Sequence, residues 1–272
     1  MHVVTQGEIG SFHHQAIEQW FGNDVDIIPA NTFGNVFDAL DRSEAGTAVV
    51  AVENSLYGSI NEVLDLIETH HYPIIGEVYL RIEQQLIGLP KATLEKVTKI
   101  YSHPVALAQC EQYFDNHFPN AQRIEYHDTA ASVECIKQLG DPSAVAVAGR
   151  AAAAYHHLPI LAENIEDNKA NFTRFLILSR EQSSSQTTNK ASIVLVADNA
   201  PGSLARALAQ FATANINLTK LQSRPIVGTP WKYRFYIDLE ASKEQLERII
   251  AAIQKDDNTT ITILGTYTAA WI

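Results

Sequence analysis

From residue 1 to residue 155, short apolar runs alternate with stretches of helical periodicity, and most of the apolar runs stop at a small polar cluster. That alternation constrains the chain more than any other feature. Repeated strand–helix–strand units are satisfied by a parallel or mixed sheet with helices on both faces. Strands are expected over 1–5, 25–28 and 47–52, with helices over 12–21, 36–40 and 60–67. In the last of these, Ile60, Val63, Leu64 and Ile67 share one face. Residues 74–89 form one long extended run, suited to a strand passing from one lobe to another. A second series follows: strand 100–102, helix 104–114, strand 123–126, helix 129–139, strand 145–148 and helix 150–155.

The polar clusters fall at strand ends and helix starts, where α/β sheets bind ligands. Ser11 follows Gly7-Glu8-Ile9-Gly10 and is a good N-cap, at a helix start whose free N–H groups also attract anions. Glu53-Asn54-Ser55 closes one strand, and Ser102-His103-Pro104 puts proline in a first helical turn. Asp128-Thr129-Ala130-Ala131-Ser132 repeats that arrangement. Asn164-Ile165-Glu166-Asp167-Asn168 then leads to Asn171-Phe172-Thr173-Arg174-Phe175, directly before the apolar run Leu176-Ile177-Leu178. A guanidinium there forks onto carboxylates, and a hydroxyl can donate to a leaving or developing oxygen. Taken singly, each cluster also fits an ordinary turn, cap or strand edge. Together they imply two lobes and a cleft, with the chain returning to the first lobe near Thr173.

Residues 181–189 are rich in Ser, Thr and Gln and read as a linker. Beyond them come a strand over 191–197, a helical stripe of Leu204, Leu208 and Phe211, and a strand over 217–222 that reaches Ser223-Arg224-Pro225. A strand over 231–239, a stripe of Leu246, Ile249, Ile250 and Ile253, and a strand over 260–266 complete the order βαββαβ. That order gives a ferredoxin-like sandwich. One face of so small a sheet is expected to be bare, which predicts pairing with a second copy.

A net charge of −11 and a pI near 5.3 leave no basic field for nucleic acid or an anionic membrane. A local arginine can still hold an anionic small molecule. The N-terminus shows no signal-peptide pattern, no run is long enough to span a membrane, and Cys110 and Cys135 lack CxxC spacing. Both cysteines fall in helical patterns and read as reduced, buried residues of a cytoplasmic protein. The histidine pairs 13–14, 70–71 and 156–157 match no zinc spacing, and no Walker loop, GxGxxG fingerprint or GxSxG elbow is present. Neither a metal nor a cofactor is expected.

With these segments assembled, the chain resembles prephenate dehydratases that carry a C-terminal ACT regulatory domain. The resemblance rests on Val52-Glu53-Asn54-Ser55 with Gly58, Ser102-His103-Pro104 through Cys110, Asp128 to Ser132, Asn164 to Asp167 and Asn171 to Phe175. Pro201-Gly202-Ser203-Leu204, Asn217-Leu218-Thr219-Lys220 and Ser223-Arg224-Pro225 extend it to the C-terminus. It implies a two-lobed, periplasmic-binding-protein-like α/β catalytic domain over 1–180. The first lobe would be 1–76 plus 172–180, and the second 77–171. A linker over 181–189 and an ACT domain over 190–272 follow.

The implied reaction converts prephenate to phenylpyruvate, water and carbon dioxide, in phenylalanine biosynthesis, without a cofactor. Thr173 inherits the catalytic role; Arg174, Phe175, Ser11, Asn54, Ser55, Ser102 and Thr129 are the implied substrate-binding residues. L-Phenylalanine is the implied allosteric inhibitor, with Gly202, Ser203, Leu204, Asn217, Leu218, Gln222, Ser223 and Arg224 as its binding set. Self-association through ACT domains, as a dimer or a dimer of dimers, completes the expectation. Arogenate dehydratase and a non-catalytic amino-acid sensor are the alternatives. The chain departs from the family pattern at Glu8, Ser11 and His13 of its first loop, at Val63, at Ser203 and at Gln222.

Overall fold

The computed structural model describes residues 1–181, 188–254 and 259–270, so the expected linker lies largely outside the described residues. In chain order the elements begin with β1 (His2–Gln6), α1 (Phe12–Phe21), β2 (Asp26–Ala30), α2 (Phe33–Asp41), β3 (Thr47–Asn54), β4 (Gly58–Ser59) and α3 (Asn61–His70). Next come β5 (Ile74–Arg81), β6 (Gln85–Gly88), β7 (Lys99–Ser102), α4 (Pro104–Gln109), α5 (Glu111–His117), β8 (Gln122–Glu125) and α6 (Thr129–Leu139). Then follow β9 (Ala144–Ala148), α7 (Arg150–His156), β10 (Ile160–Ala162), β11 (Phe172–Ser179) and β12 (Lys190–Val196). The chain closes with α8 (Ser203–Thr213), β13 (Asn217–Pro225), β14 (Tyr233–Glu240), α9 (Lys243–Ile253) and β15 (Thr260–Tyr267). Among the described residues no helix is long and apolar enough to cross a membrane.

Packing divides the chain into one unit of Met1–Gly58 with Val78–Phe175 and a second of Ser59–Glu77 with Leu176–Ile272, so β5 and β11 run through the division. One sheet has the order β2-β1-β3-β11-β5, and another the order β10-β6-β9-β7-β8. Because β1 lies parallel to β2 and β3, the carboxyl ends at Gln6, Ala30 and Asn54 share one edge. Strand β7 is parallel to β8 and β9, while β6 runs antiparallel to β9 and β10, so the second sheet is mixed. The long run over 74–89 is two strands in different sheets. At its crossing the Ile82 N–H bonds the Asn171 carbonyl at 2.8 Å, tying the outgoing segment to the returning one.

The expected helix over 104–114 is two helices, and the break has an identifiable cause. The Asp167 N–H takes the Gln109 carbonyl at 2.7 Å, and the Asp167 carboxylate accepts the N–H groups of Gln112 and Tyr113 at 2.9 and 3.1 Å. A distant aspartate thus starts α5 as an N-cap would. Cys110 lies buried at this break rather than inside a helix, and burial pushes its thiol pKa up. Cys135 is half-buried, not buried as expected. Helix α6 follows its sequence signals: Asp128 caps Ala130 and Ala131, Val133 and Ile136 are buried, and Gly140 ends it in the left-handed region.

In the second unit the sheet order β13-β14-β12-β15 is antiparallel throughout. Helices α8 and α9 cover one face through Leu195, Phe211, Ile237, Leu239, Leu246 and Ile249. The opposite face is not bare, which corrects the expectation above. Side chains of β13 and β14 on that face bond Ser59, Asp65 and Glu68 in and before α3. Deeper in the unit, the Lys190 ammonium sits 2.9 Å from both Glu77 carboxylate oxygens, with side chains 5% and 0% exposed. Ala270 N–H donates to the same carboxylate at 3.1 Å.

Candidate active site

Thr173 lies one residue inside β11, half-buried beside the end of β3. The Asn54 side chain joins these two elements. Its Oδ1 accepts the N–H groups of Leu56 and Tyr57 at 2.9 and 3.1 Å, which fixes the amide's orientation. Its Nδ2 then donates to Asn171 Oδ1 at 2.8 Å and to Thr173 Oγ1 at 3.0 Å. With an acceptor position of Thr173 so occupied, its own O–H proton is left to point elsewhere, and accepting a bond strengthens it as a donor. Asn171 received no role from the sequence. Its spacing of two from Thr173 on an extended run was the available signal, because alternate residues share a face.

The neighbouring serine hydroxyls are used structurally. Ser55 Oγ donates to the Ala170 carbonyl and accepts the Phe172 N–H, both at 2.9 Å, lashing the β3 loop to β11. Ser102 Oγ is wholly buried and donates to the Val147 carbonyl at 2.6 Å. Ser11 is buried and caps α1 through the His14 N–H at 3.4 Å. Thr129 is half-buried at the first position of α6, beyond its cap Asp128. Arg174 is 5% exposed with its guanidinium 6.0 Å above the Tyr79 ring, and Phe175 is buried. So Asn54, Asn171 and Thr173 form one bonded cluster with Ser55 against the same loop, whereas Ser11, Ser102 and Thr129 belong to other strand ends.

The first loop reaches the helices that flank the second sheet. Gly10 has φ +92°, and an added Cβ would stand 2.9 Å from Ala152 Cα of α7, so both conformation and space favour glycine. A cavity of about 370 Å³ lies beside this loop, lined by Gln6, Gly7, Glu8, Ala30, Asn31, His127 and Asp128. None of the expected substrate-binding residues lines it.

His13, where the family pattern has serine, points inward: its Nε2 accepts the Ala51 N–H at 3.3 Å, and its ring meets Phe175 edge-on at 5.0 Å. Burial lowers its pKa to about 4, so the neutral ring supports Phe175 from below. In the unfolded chain the group titrates near 6.5. The unfolded state therefore takes up this proton first, and stability falls as pH drops from 6.5 towards 4. Between pH 7 and 4.5 the loss attributable to His13 is about 2 kcal/mol. Urea unfolding of wild type and His13→Gln at both pH values checks it; equal losses in the two proteins would refute the assignment.

The second unit holds a cavity of about 370 Å³ lined by Asp198, Asn199, Gly202, Ser203, Leu204, Tyr233 and Phe235 among others. Gly202, Ser203 and Leu204 are thus brought together with residues that sequence reasoning missed. Asn217, Leu218, Gln222, Ser223 and Arg224 do not line this cavity. The Arg224 guanidinium instead holds Asp65 at 2.6 Å, and Gln222 accepts the Ser59 hydroxyl at 3.4 Å.

Residues 3–183 match the family described as prephenate dehydratase. The bifunctional chorismate mutase/prephenate dehydratase of Aquifex aeolicus is 37% identical over 98% of this chain and 74% of that protein. Arogenate dehydratase 4 of Arabidopsis thaliana is 36% identical over 98% of this chain and 67% of its own length. Among solved structures, GqqA, described as a novel type of quorum-quenching acylase, superposes with a TM-score of 0.89 at 31% identity, covering 99% of this chain and 98% of that one. The Arthrobacter aurescens prephenate dehydratase in complex with L-Phe does so with a TM-score of 0.88 at 29% identity, covering 98% and 90%. The likeness to that enzyme runs through the C-terminal sheet as well as the two mixed sheets, and the chain belongs to the prephenate dehydratase family.

Proposed function

We propose that the chain eliminates water and carbon dioxide from prephenate, with Thr173 donating a hydrogen bond to the departing ring hydroxyl. The observation that carries this reading is the Asn54 bond to Thr173 Oγ1 at 3.0 Å, which occupies that oxygen as an acceptor and leaves its proton for a ligand. Prephenate is a dianion. Loss of its carboxylate as carbon dioxide supplies the electron pair that expels hydroxide and aromatises the ring. One proton is taken up, turning hydroxide into water, so one is consumed per turnover. A threonine is too weak an acid to supply it outright. It stabilises the developing hydroxide, and the proton arrives through water or a relay. Arg174, Phe175, Ser11, Asn54, Ser55, Ser102 and Thr129 remain the proposed binding set, with Asn54 and Ser55 acting through the loop they organise.

The assignment of 1–180 to catalysis and 190–272 to regulation belongs to the same reading. The cavity at Gly202, Ser203 and Leu204 suits an aromatic amino acid. The α8 N-terminus would face its carboxylate, Asp198 its ammonium, and Leu204, Tyr233 and Phe235 its aromatic ring. L-Phenylalanine is the proposed inhibitor. Self-association now rests on the edge strand β13 and on exposed Leu221, Val227 and Trp231, rather than on a bare sheet face. A cytoplasmic location accompanies the reading.

The test is direct. Purified protein incubated with prephenate should produce phenylpyruvate, followed by its absorbance, and consume protons in equal amount until the carbon dioxide hydrates. Added phenylalanine should slow it. Folded protein that yields no product would overturn the proposal. Faster turnover of arogenate than of prephenate would shift it to the alternative substrate.

A further inference from the structure

Strand β14 has two differently employed faces. Tyr233 and Phe235 line the cavity with Gly202, Ser203 and Leu204. Arg234 and Tyr236, each one residue along, project from the opposite side, as the two-residue period of a strand requires. There they grip α3. The Arg234 guanidinium reaches Asp65 at 3.1 Å and Glu68 at 3.0 Å, and the Tyr236 hydroxyl donates to Glu68 at 2.5 Å. Arg224, paired with Arg234 across the β13–β14 ladder, adds the 2.6 Å bond to Asp65. Lys220 donates to Ser59, just before α3, at 2.7 Å.

The electrostatics match the geometry. Burial acts to raise the Asp65 carboxyl, but the bonds and charges of Arg224 and Arg234 outweigh it and hold the pKa below the usual carboxylate range. Burial and the bond to Glu68 push the Tyr236 phenol up, so it stays a donor. Among the described residues, Arg234 Nε is buried without a hydrogen-bond partner. A clamp with an unsatisfied buried donor has something to gain from a second arrangement. On the far side of α3 the covalent path is short. Its first residue, Asn61, follows Asn54 by seven positions, and Asn54 holds Thr173.

We propose that β14 transmits occupancy of the cavity to α3, a ligand against Tyr233 and Phe235 reseating Arg234 and Tyr236 on Asp65 and Glu68 and thereby shifting the Asn54 turn. The inference rests on the regulatory reading of the cavity and assigns the route by which it acts. Arg224 becomes part of the clamp instead of a ligand contact. Asp65, Glu68, Arg234 and Tyr236 are positioning residues, and none touches substrate or effector.

The experiment compares wild type, Tyr236→Phe and Arg234→Gln in three measurements: prephenate turnover without effector, phenylalanine binding by calorimetry, and inhibition by phenylalanine. Both variants should turn over prephenate and bind phenylalanine within about threefold of wild type, yet lose about tenfold or more in sensitivity to it. Reciprocally, a substrate analogue should weaken phenylalanine binding to wild type and have little effect on that of the variants. Undiminished inhibition in Tyr236→Phe, which keeps the ring and its packing, would overturn the clamp while leaving the regulatory reading intact. A wild type that neither binds phenylalanine nor is inhibited by it would overturn the regulatory reading and this inference with it. Loss of binding in the variants would make the clamp residues part of the ligand site and refute the route.

Discussion

Replacing Thr173 by valine is expected to lower kcat by about 100- to 1,000-fold, the usual cost of removing one donor aimed at developing charge. KM should change little, because valine keeps the shape and the ground-state substrate offers only a neutral hydroxyl at that position. Thr173→Ser, which restores the hydroxyl, should recover much of the rate. The Asn54 bond explains why one hydroxyl can matter so much. It occupies Oγ1 as an acceptor at 3.0 Å, and on the proposed reading the proton is then left for the leaving group. Steady-state kinetics on the three proteins decide the matter, and a valine variant with wild-type turnover would remove Thr173 from the mechanism.

The largest effect on stability is expected from Lys190→Met. Glu77 is 0% exposed, and Lys190 lies 2.9 Å from both of its carboxylate oxygens. Removing the ammonium leaves a buried carboxylate facing only the Ala270 N–H and its remaining neighbours, and breaking such a pair costs about 3–5 kcal/mol. The double variant Lys190→Met, Glu77→Leu removes both charges and should recover most of that loss, since a buried pair often does no better than apolar groups of similar volume. Urea unfolding of the single and double variants checks both statements. A single variant within about 1 kcal/mol of wild type would mean the buried carboxylate does not depend on the ammonium.

Much of this architecture was legible because it depends on local periodicity. Helix α6 runs over the expected 129–139, and its capping aspartate and closing glycine are plain in the sequence. What escaped depends on partners far along the chain. Beyond Pro104 in the first turn, nothing up to 114 breaks a helix; the residue that divides α4 from α5 is Asp167, 55 positions beyond Gln112. Asp65 and Glu68 look like a solvated helix face; their partners Arg234 and Tyr236 lie 169 and 168 positions away. At the candidate site, residue types suggested donors but not where each hydroxyl spends its bond. Ser55 and Ser102 bond backbone carbonyls, and the arrangement around Thr173 depends on Asn54, expected only as a substrate contact, bonding Asn171, which had no stated role.

The position of β11 between β3 and β5 bears on how the chain is made. Synthesis delivers β1, β2, β3 and β5 early, but the strand that joins β5 to β3 ends only at Ser179, after the whole second sheet has emerged. Until then β3 and β5 wait with hydrogen-bonding edges open, and both carry strongly apolar sequences. Open apolar edges invite association between nascent chains, and contacts so distant in sequence form slowly. The second sheet faces no such delay, since β6 to β10 lie within 78 consecutive residues, from 85 to 162. Released chains truncated before residue 172 should therefore protect the second sheet from proteolysis while leaving the first vulnerable.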